Sequence, residues 1–196
     1  MTSRYDDELW ELVPPDLGPP PEHLRAFVRE LGHADHALDL GCGDGRLTVE
    51  LDAARLTAAD VSRVALDRAR GRVDRVPAER APAGLDPGET RFTELEPDAP
   101  LPFEDGEFDL VLCAETLEHV RDVQLLLSEA RRVLRSGGTL AITTPAIPPL
   151  MRPPDPLSPH LRFLTRRSLA RLLSELGFDV VALDRRAGTL RARATR

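Results

Sequence analysis

Apolar positions along the chain fall into two patterns: short continuous runs, and stripes that recur every three or four residues. The runs predict strands over about His36 to Leu40, Arg55 to Ala59, Thr90 to Leu95, Phe108 to Cys113, Thr139 to Thr143, Phe178 to Leu183 and Thr189 to Ala194. The stripes predict helices. Leu24, Phe27, Val28 and Leu31 stand at i, i+3, i+4 and i+7 before Gly32. A helix is expected from about Gly45 to Ala53, and Ser62 can cap another that buries Ala65, Leu66, Ala69 and Val73. Asp122 can cap one with Val123, Leu126, Leu127, Ala130, Val133 and Leu134 on one face, stopped by Gly137 and Gly138. Thr165 opens the last, with Leu169, Leu172, Leu173 and Leu176 inward and Gly177 as its stop. Residues 74–90 and the proline-rich 145–159 read as surface connections. Pro14, Pro15, Pro19, Pro20 and Pro21 mark the first 21 residues as an extended arm rather than a folded element.

Strands alternating with helices imply a mostly parallel sheet covered on both faces. The closing pair is joined by only about five residues around Gly188, too few for a parallel crossover, so it is expected to be an antiparallel hairpin. At 196 residues the chain reads as one α/β domain over 22–196 preceded by the arm over 1–21. Without a ~20-residue apolar span or a signal-peptide core, a soluble, cytoplasmic protein is expected. The formal net charge of −7 disfavours a general nucleic-acid binder. All 26 basic residues are arginine, which excludes a lysine Schiff base or lysine general base. The arginines between Arg185 and Arg196 read as a solvated strand end and tail.

The run from Ala37 to Arg46, ALDLGCGDGR, carries the chemistry. A buried strand ending in glycines lets backbone approach a ligand where a Cβ would collide. The dinucleotide fingerprint G-x-G-x-x-G needs a third glycine at Arg46, whereas here it comes one residue earlier, as G-x-G-x-G. On Asp39, Gly41, Gly43 and Gly45 the chain resembles the class I S-adenosylmethionine-dependent methyltransferases, whose first motif is D/E-x-G-x-G-x-G. The resemblance extends over about residues 22–196. It implies a three-layer Rossmann-like α/β fold with a seven-stranded, mostly parallel sheet and an antiparallel C-terminal hairpin.

The same resemblance assigns a cofactor site. Asp60, at the end of the second strand, would accept hydrogen bonds from the ribose hydroxyls, and Val61 would pack on the adenine. Glu94 and Leu95 stand where the family contacts the adenine edge, with Asp98 a competitor for that role. Asp39, the Gly41–Cys42–Gly43 loop and the backbone from Cys113 to Glu115 would surround the sulfonium and amino groups. Cys42 and Cys113 are expected to be small packing residues beside the cofactor rather than a disulfide or a metal site.

The segment LPFEDGEFDLVLCAETLEHV, Leu101 to Val120, resembles the family's motifs around the fourth strand. It places Glu115, Glu118 and His119 near the methyl donor. Two readings of His119 stand: a general base, with Glu115 and His160 lining the same pocket, or a loop residue that supports the methionine end of the cofactor. Glu115, Glu118, His119 and His160 also form a candidate set for a divalent metal, which is possible but not expected. The expected function is methylation of a small molecule, foremost at oxygen, with nitrogen or carbon open. The alternatives are metal-assisted 2′-O-methylation of RNA ends and a non-catalytic cofactor-binding partner protein. A homodimer is possible, and the arm with the only tyrosine and tryptophan, Tyr5 and Trp10, is expected to fold over the cofactor as one pocket wall.

Overall fold

Seven strands form one sheet in the order β3-β2-β1-β4-β5-β7-β6. The structure is a computed structural model, described here for residues 3–15, 17–75, 90–146 and 160–196, with side chains from residue 6 onward. The elements are α1 (Ser3–Leu12), α2 (Glu22–Arg29), β1 (His33–Leu40), β2 (Asp52–Asp60), α3 (Arg63–Val73), β3 (Thr90–Glu94), β4 (Phe108–Ala114), α4 (Val123–Val133), β5 (Leu134–Pro145), α5 (Arg166–Glu175), β6 (Asp179–Arg186) and β7 (Thr189–Thr195). Strands β1 to β5 pair in parallel, and β7 runs antiparallel to both β5 and β6. The closing hairpin turns through only Ala187 and Gly188, both at positive φ, the geometry that matches strand twist in two-residue loops.

Side chains alternate across the central strands and so divide the core. Leu38, Val111, Cys113 and Ile142 face α4 and α5, where Leu127, Val133, Leu169 and Leu173 are fully buried. Ala37, Leu56, Leu110 and Leu112 face Phe27 and Val28 of α2. Ala58 meets Leu66 and Ala69 of α3, beside Cys42. The expected caps form: Ser62 accepts from Ala65 N, Asp122 from Leu125 N, and Thr165 and Ser168 make a reciprocal capping box. Gly177 follows the last residues of α5 at positive φ, as its stop.

Three local expectations are corrected. Residues 3–12 are helical, because the prolines begin only at Pro14 and leave the segment before them free to coil. The helix expected over 45–53 contracts to one 3-10 turn, Thr48–Glu50; Asp52 and Ala53 instead pair with His33 and Ala34, which lengthens both β1 and β2 at their start. Gly137 and Gly138 do not stop α4. That helix ends at Val133, Leu134 already pairs with Phe108, and the register shifts before Leu110 pairs with Thr139. A Cβ on Gly138 would lie 2.9 Å from Arg135 O and 3.1 Å from Asp109 O, so the glycines serve a bulge. Of the expected connections, 76–89 and 147–159 lie outside the described residues, as does the Tyr5 side chain.

Candidate functional site

The first three strands of the chain and β4 end around a cavity of about 430 Å³, lined by Asp39, Gly41, Gly43, Asp60, Glu115 and His119 among others. Ligands of open α/β sheets bind at this place, where the strand order reverses between β1 and β4. The three motif glycines each admit a different neighbour. A Cβ on Gly41 would sit 2.4 Å from Thr116 Cγ2 on the loop after β4. One on Gly43 would meet the Trp10 ring at 2.9 Å, and one on Gly45 the Ala69 Cα of α3 at 2.9 Å. All three have positive φ, so an added side chain is strained as well as obstructed. Gly45→Ala is expected to lower unfolding free energy by at least about 1–2 kcal/mol, measurable by urea denaturation.

Two carboxyls anchor this end. Asp39 is buried and accepts from Thr48 Oγ1 at 2.6 Å; burial pushes its pKa up to about 7, against the Thr48 bond and with the Asp60 charge adding. Asp60 accepts from Gly43 N through Oδ2 and from Ser62 N through Oδ1, both at 2.9 Å. Burial pushes it up to about 6, while the Ser62 and Gly43 bonds oppose the rise. Val61, Leu95 and Cys42 line the cavity with them, and Leu95 N donates to Asp60 O at 2.8 Å. Burial raises the Cys42 thiol well above its ordinary value, so it packs as an unreactive group.

Other expected contacts lie behind the wall. The Glu94 carboxylate pairs with Arg63 at 2.7 Å, whereas Glu96 and Asp98 reach the cavity. Gly45 packs against α3, and Cys113 is fully buried in the core, its neighbours Ala114, Glu115 and Thr116 facing the cavity instead.

The loop after β4 supplies the second half. Glu115 holds positive φ, and its N–H donates to Thr143 O at 2.8 Å. Its Oε1 is buried, and burial raises its pKa while the Thr143 hydroxyl opposes the rise. Glu118 is buried behind it, accepts from Thr144 Oγ1 at 3.0 Å and is pushed by burial up to about 7. His119 lines the cavity with Nε2 3.9 Å from Glu118 Oε1. Its ring meets that of His160 edge to face at 4.9 Å, and His160 in turn meets Phe163 at 5.6 Å. Burial lowers the His160 pKa. Backbone bonds fix this arrangement: Leu161 N donates to Glu118 O at 2.7 Å, and the Arg162 guanidinium donates to the carbonyls of Leu117, Val120 and Arg121.

Glu118, His119 and His160 bring ligand-type atoms within 4.8 Å of one another, without Glu115. A tetrahedral ion with bonds of ~2.1 Å spaces its ligands at roughly 3.4 Å, so these side chains would have to draw closer to share one.

Sequence reading missed the helix that closes the cavity. Asp6, Leu9, Trp10 and Val13 line it from α1 and the residue following. Their spacing of i, i+3, i+4 and i+7 was the available signal. Asp7 Oδ1 accepts from Ser62 Oγ at 2.6 Å and Val64 N at 3.2 Å, which fastens α1 to the start of α3. Arg68 of α3 lies over the Trp10 ring at 5.8 Å and donates to Val13 O at 3.0 Å.

Comparison with known proteins gives the family and the fold. An O-methyltransferase of Penicillium expansum is 31% identical over 171 residues, covering 79% of this chain and 58% of that protein. The 27-O-demethylrifamycin SV methyltransferase of Amycolatopsis mediterranei is 32% identical over 141 residues, covering 72% of this chain and 44% of that protein. This chain thus spans about half the length of these curated relatives. The solved structure of the cyclase SpnF has the same fold, with a TM-score of 0.78 at 18% identity, covering 100% of this chain and 97% of that one. The methyltransferase-domain family matches residues 38–142, which runs from β1 through the glycine motif and the β4 loop into β5. With that match over more than half its length, the chain belongs to the class I S-adenosylmethionine-dependent methyltransferases.

Proposed function

We propose that this chain methylates a hydroxyl of a small molecule, using S-adenosylmethionine as donor and His119 as general base. One observation carries the reading: a single cavity joins the Asp39–Asp60 end of the sheet to Glu115 and His119. S-adenosylmethionine supplies an electrophilic methyl group on a sulfonium. The acceptor oxygen forms the new bond to that carbon as the carbon–sulfur bond breaks, leaving S-adenosylhomocysteine and a methyl ether. His119 takes the hydroxyl proton, and Glu118 Oε1 at 3.9 Å favours the resulting imidazolium. Glu115 lines the same cavity from the loop after β4.

The acceptor is read as small and largely apolar, because Leu9, Val13, Pro20, Pro21, Leu24 and Leu47 form an apolar part of the wall. Acidic residues of the cavity, Glu96, Asp98 and Asp122 among them, outnumber its arginines, Arg46 and Arg121, which disfavours a polyanion such as RNA. Oxygen as the methylated atom follows the names of the two relatives above. A metal-assisted variant of the reaction would draw on Glu118, His119 and His160. Chelation separates the two: activity is expected to survive EDTA, and loss that Mg²⁺ or Mn²⁺ restores would favour the metal. Among the described residues no helix is long and apolar enough to cross a membrane.

The raised carboxyls make a prediction that needs no acceptor. Asp39 and Asp60 ionise in the folded protein near pH 7 and 6, above their ordinary 3.8. The folded state therefore binds more protons than the unfolded state between these limits, and their contribution to stability falls as pH rises from about 4 to 7. A cationic ligand with ribose hydroxyls favours the ionised forms. Binding of S-adenosylmethionine near pH 6.5 is expected to release protons, seen as a calorimetric enthalpy that varies with the ionisation enthalpy of the buffer. A buffer-independent enthalpy would count against this pair as the ligand's partners.

A further inference from the structure

Helix α1 grips the two groups that Asp60 already holds. Asp60 accepts from Gly43 N and Ser62 N. The Trp10 ring covers Gly43, and Asp7 accepts from Ser62 Oγ. One residue before Asp7 stands Asp6, which lines the cavity with Asp60. Burial raises the Asp6 pKa, and the Asp6 charge adds a lesser push to that of burial on Asp60, so the two carboxyls repel. Like charges across a cavity are unfavourable when nothing donates between them. A vicinal diol carries two hydroxyl donors and would relieve that repulsion.

We infer that α1 completes the nucleoside half of the site: Asp6 is a second acceptor for the ribose hydroxyls beside Asp60, and Asp7 is the latch that keeps it there. The inference rests on reading the cavity as the S-adenosylmethionine site. It adds a binding residue from outside the strand ends, brought to the site by a helix whose position depends on Ser62. Gly43 N and Ser62 N each occupy one oxygen of Asp60, and Asp6 adds a second carboxyl to the wall that a diol would face. Trp10 follows Asp6 by one helical turn and closes the same wall over Gly43.

The test is calorimetric titration of the full chain with S-adenosylhomocysteine and with its analogue lacking the 2′ and 3′ hydroxyls. Asp6→Ala is expected to weaken S-adenosylhomocysteine by about 10- to 100-fold, the loss of one or more hydrogen bonds to a charged acceptor. It should bind the deoxygenated analogue as the parent chain does. Asp7→Ala is expected to weaken S-adenosylhomocysteine too and to shift the emission of Trp10, the single tryptophan, toward that of an exposed indole. Thermal unfolding of each variant without ligand reports whether the fold survives. Unchanged affinity in Asp6→Ala, or an equal loss for both ligands, overturns the assignment of Asp6. A bound Asp7→Ala with unaltered emission and affinity overturns the latch. If the parent chain itself fails to bind S-adenosylhomocysteine, the cofactor reading falls and takes this inference with it. Loss of affinity in Asp60→Ala alone leaves that reading standing without Asp6.

Discussion

His119→Ala is expected to lower turnover by about 10²–10⁴ while leaving S-adenosylhomocysteine binding nearly intact, the usual range for removing a general base. The separation follows from where the residue stands. His119 reaches the cavity from the loop after β4, whereas Asp39, Asp60 and the glycine loop form the other end. Its neighbours Glu118 and His160 lie behind it, so the imidazole is the group of that cluster that an acceptor in the cavity meets. His119→Gln keeps bulk and a hydrogen-bonding end but takes no proton; as defective a result as with alanine would point to proton transfer, and recovery to orientation. Glu118→Gln should cost less than His119→Ala, since Glu118 acts only through the imidazole. Activity indifferent to His119→Ala, measured with a methylated acceptor, would remove it from the mechanism.

Asp60→Ala should have the next largest effect, on the cofactor. A hydrogen bond to a charged acceptor contributes ~1.5–3 kcal/mol, and a ribose offers two hydroxyls to this carboxylate. Affinity for S-adenosylhomocysteine is therefore expected to fall by about 10- to 100-fold for each bond lost. The carboxylate also holds Gly43 N and Ser62 N, so its removal leaves two backbone donors without their partner. Stability will fall with affinity, and thermal unfolding without ligand separates the two. Asp60→Asn, which keeps one acceptor oxygen, should lie between the parent chain and alanine in both measurements.

Much of this site was legible in the sequence because its signals are local. The glycine motif, the carboxylates at the ends of β1 and β2, and the Ser62, Asp122 and Thr165 caps each depend on residues within a few positions of one another. The closing hairpin was legible from the shortness of its connection. What escaped is tertiary. Nothing near Asp39 in sequence announces that Thr48 will bond to it, since the turn that presents Thr48 exists only because β2 starts early and pairs with His33. Asp7 and Ser62 lie 55 residues apart, and their bond depends on α1 packing beside α3. The prolines after residue 13 obscured α1, although the stripe of Asp6, Leu9, Trp10 and Val13 was present. Glu94 was placed correctly at its strand end, yet Arg63 draws its carboxylate to the surface and leaves Glu96 and Asp98 at the cavity. Gly137 and Gly138 have the composition of a helix stop, and only the pairing of Leu134 with Phe108 reveals a bulge.

The cavity at the strand ends is expected to take an S-adenosyl ligand and not a dinucleotide. Calorimetric titration of the purified chain with S-adenosylhomocysteine and, separately, with a nicotinamide dinucleotide tests it most directly. Saturable, one-to-one binding of S-adenosylhomocysteine in the low-micromolar range is expected, weakened in Asp60→Ala, with no measurable heat from the dinucleotide. Binding of the dinucleotide, or S-adenosylhomocysteine affinity unchanged by Asp60→Ala, would contradict it.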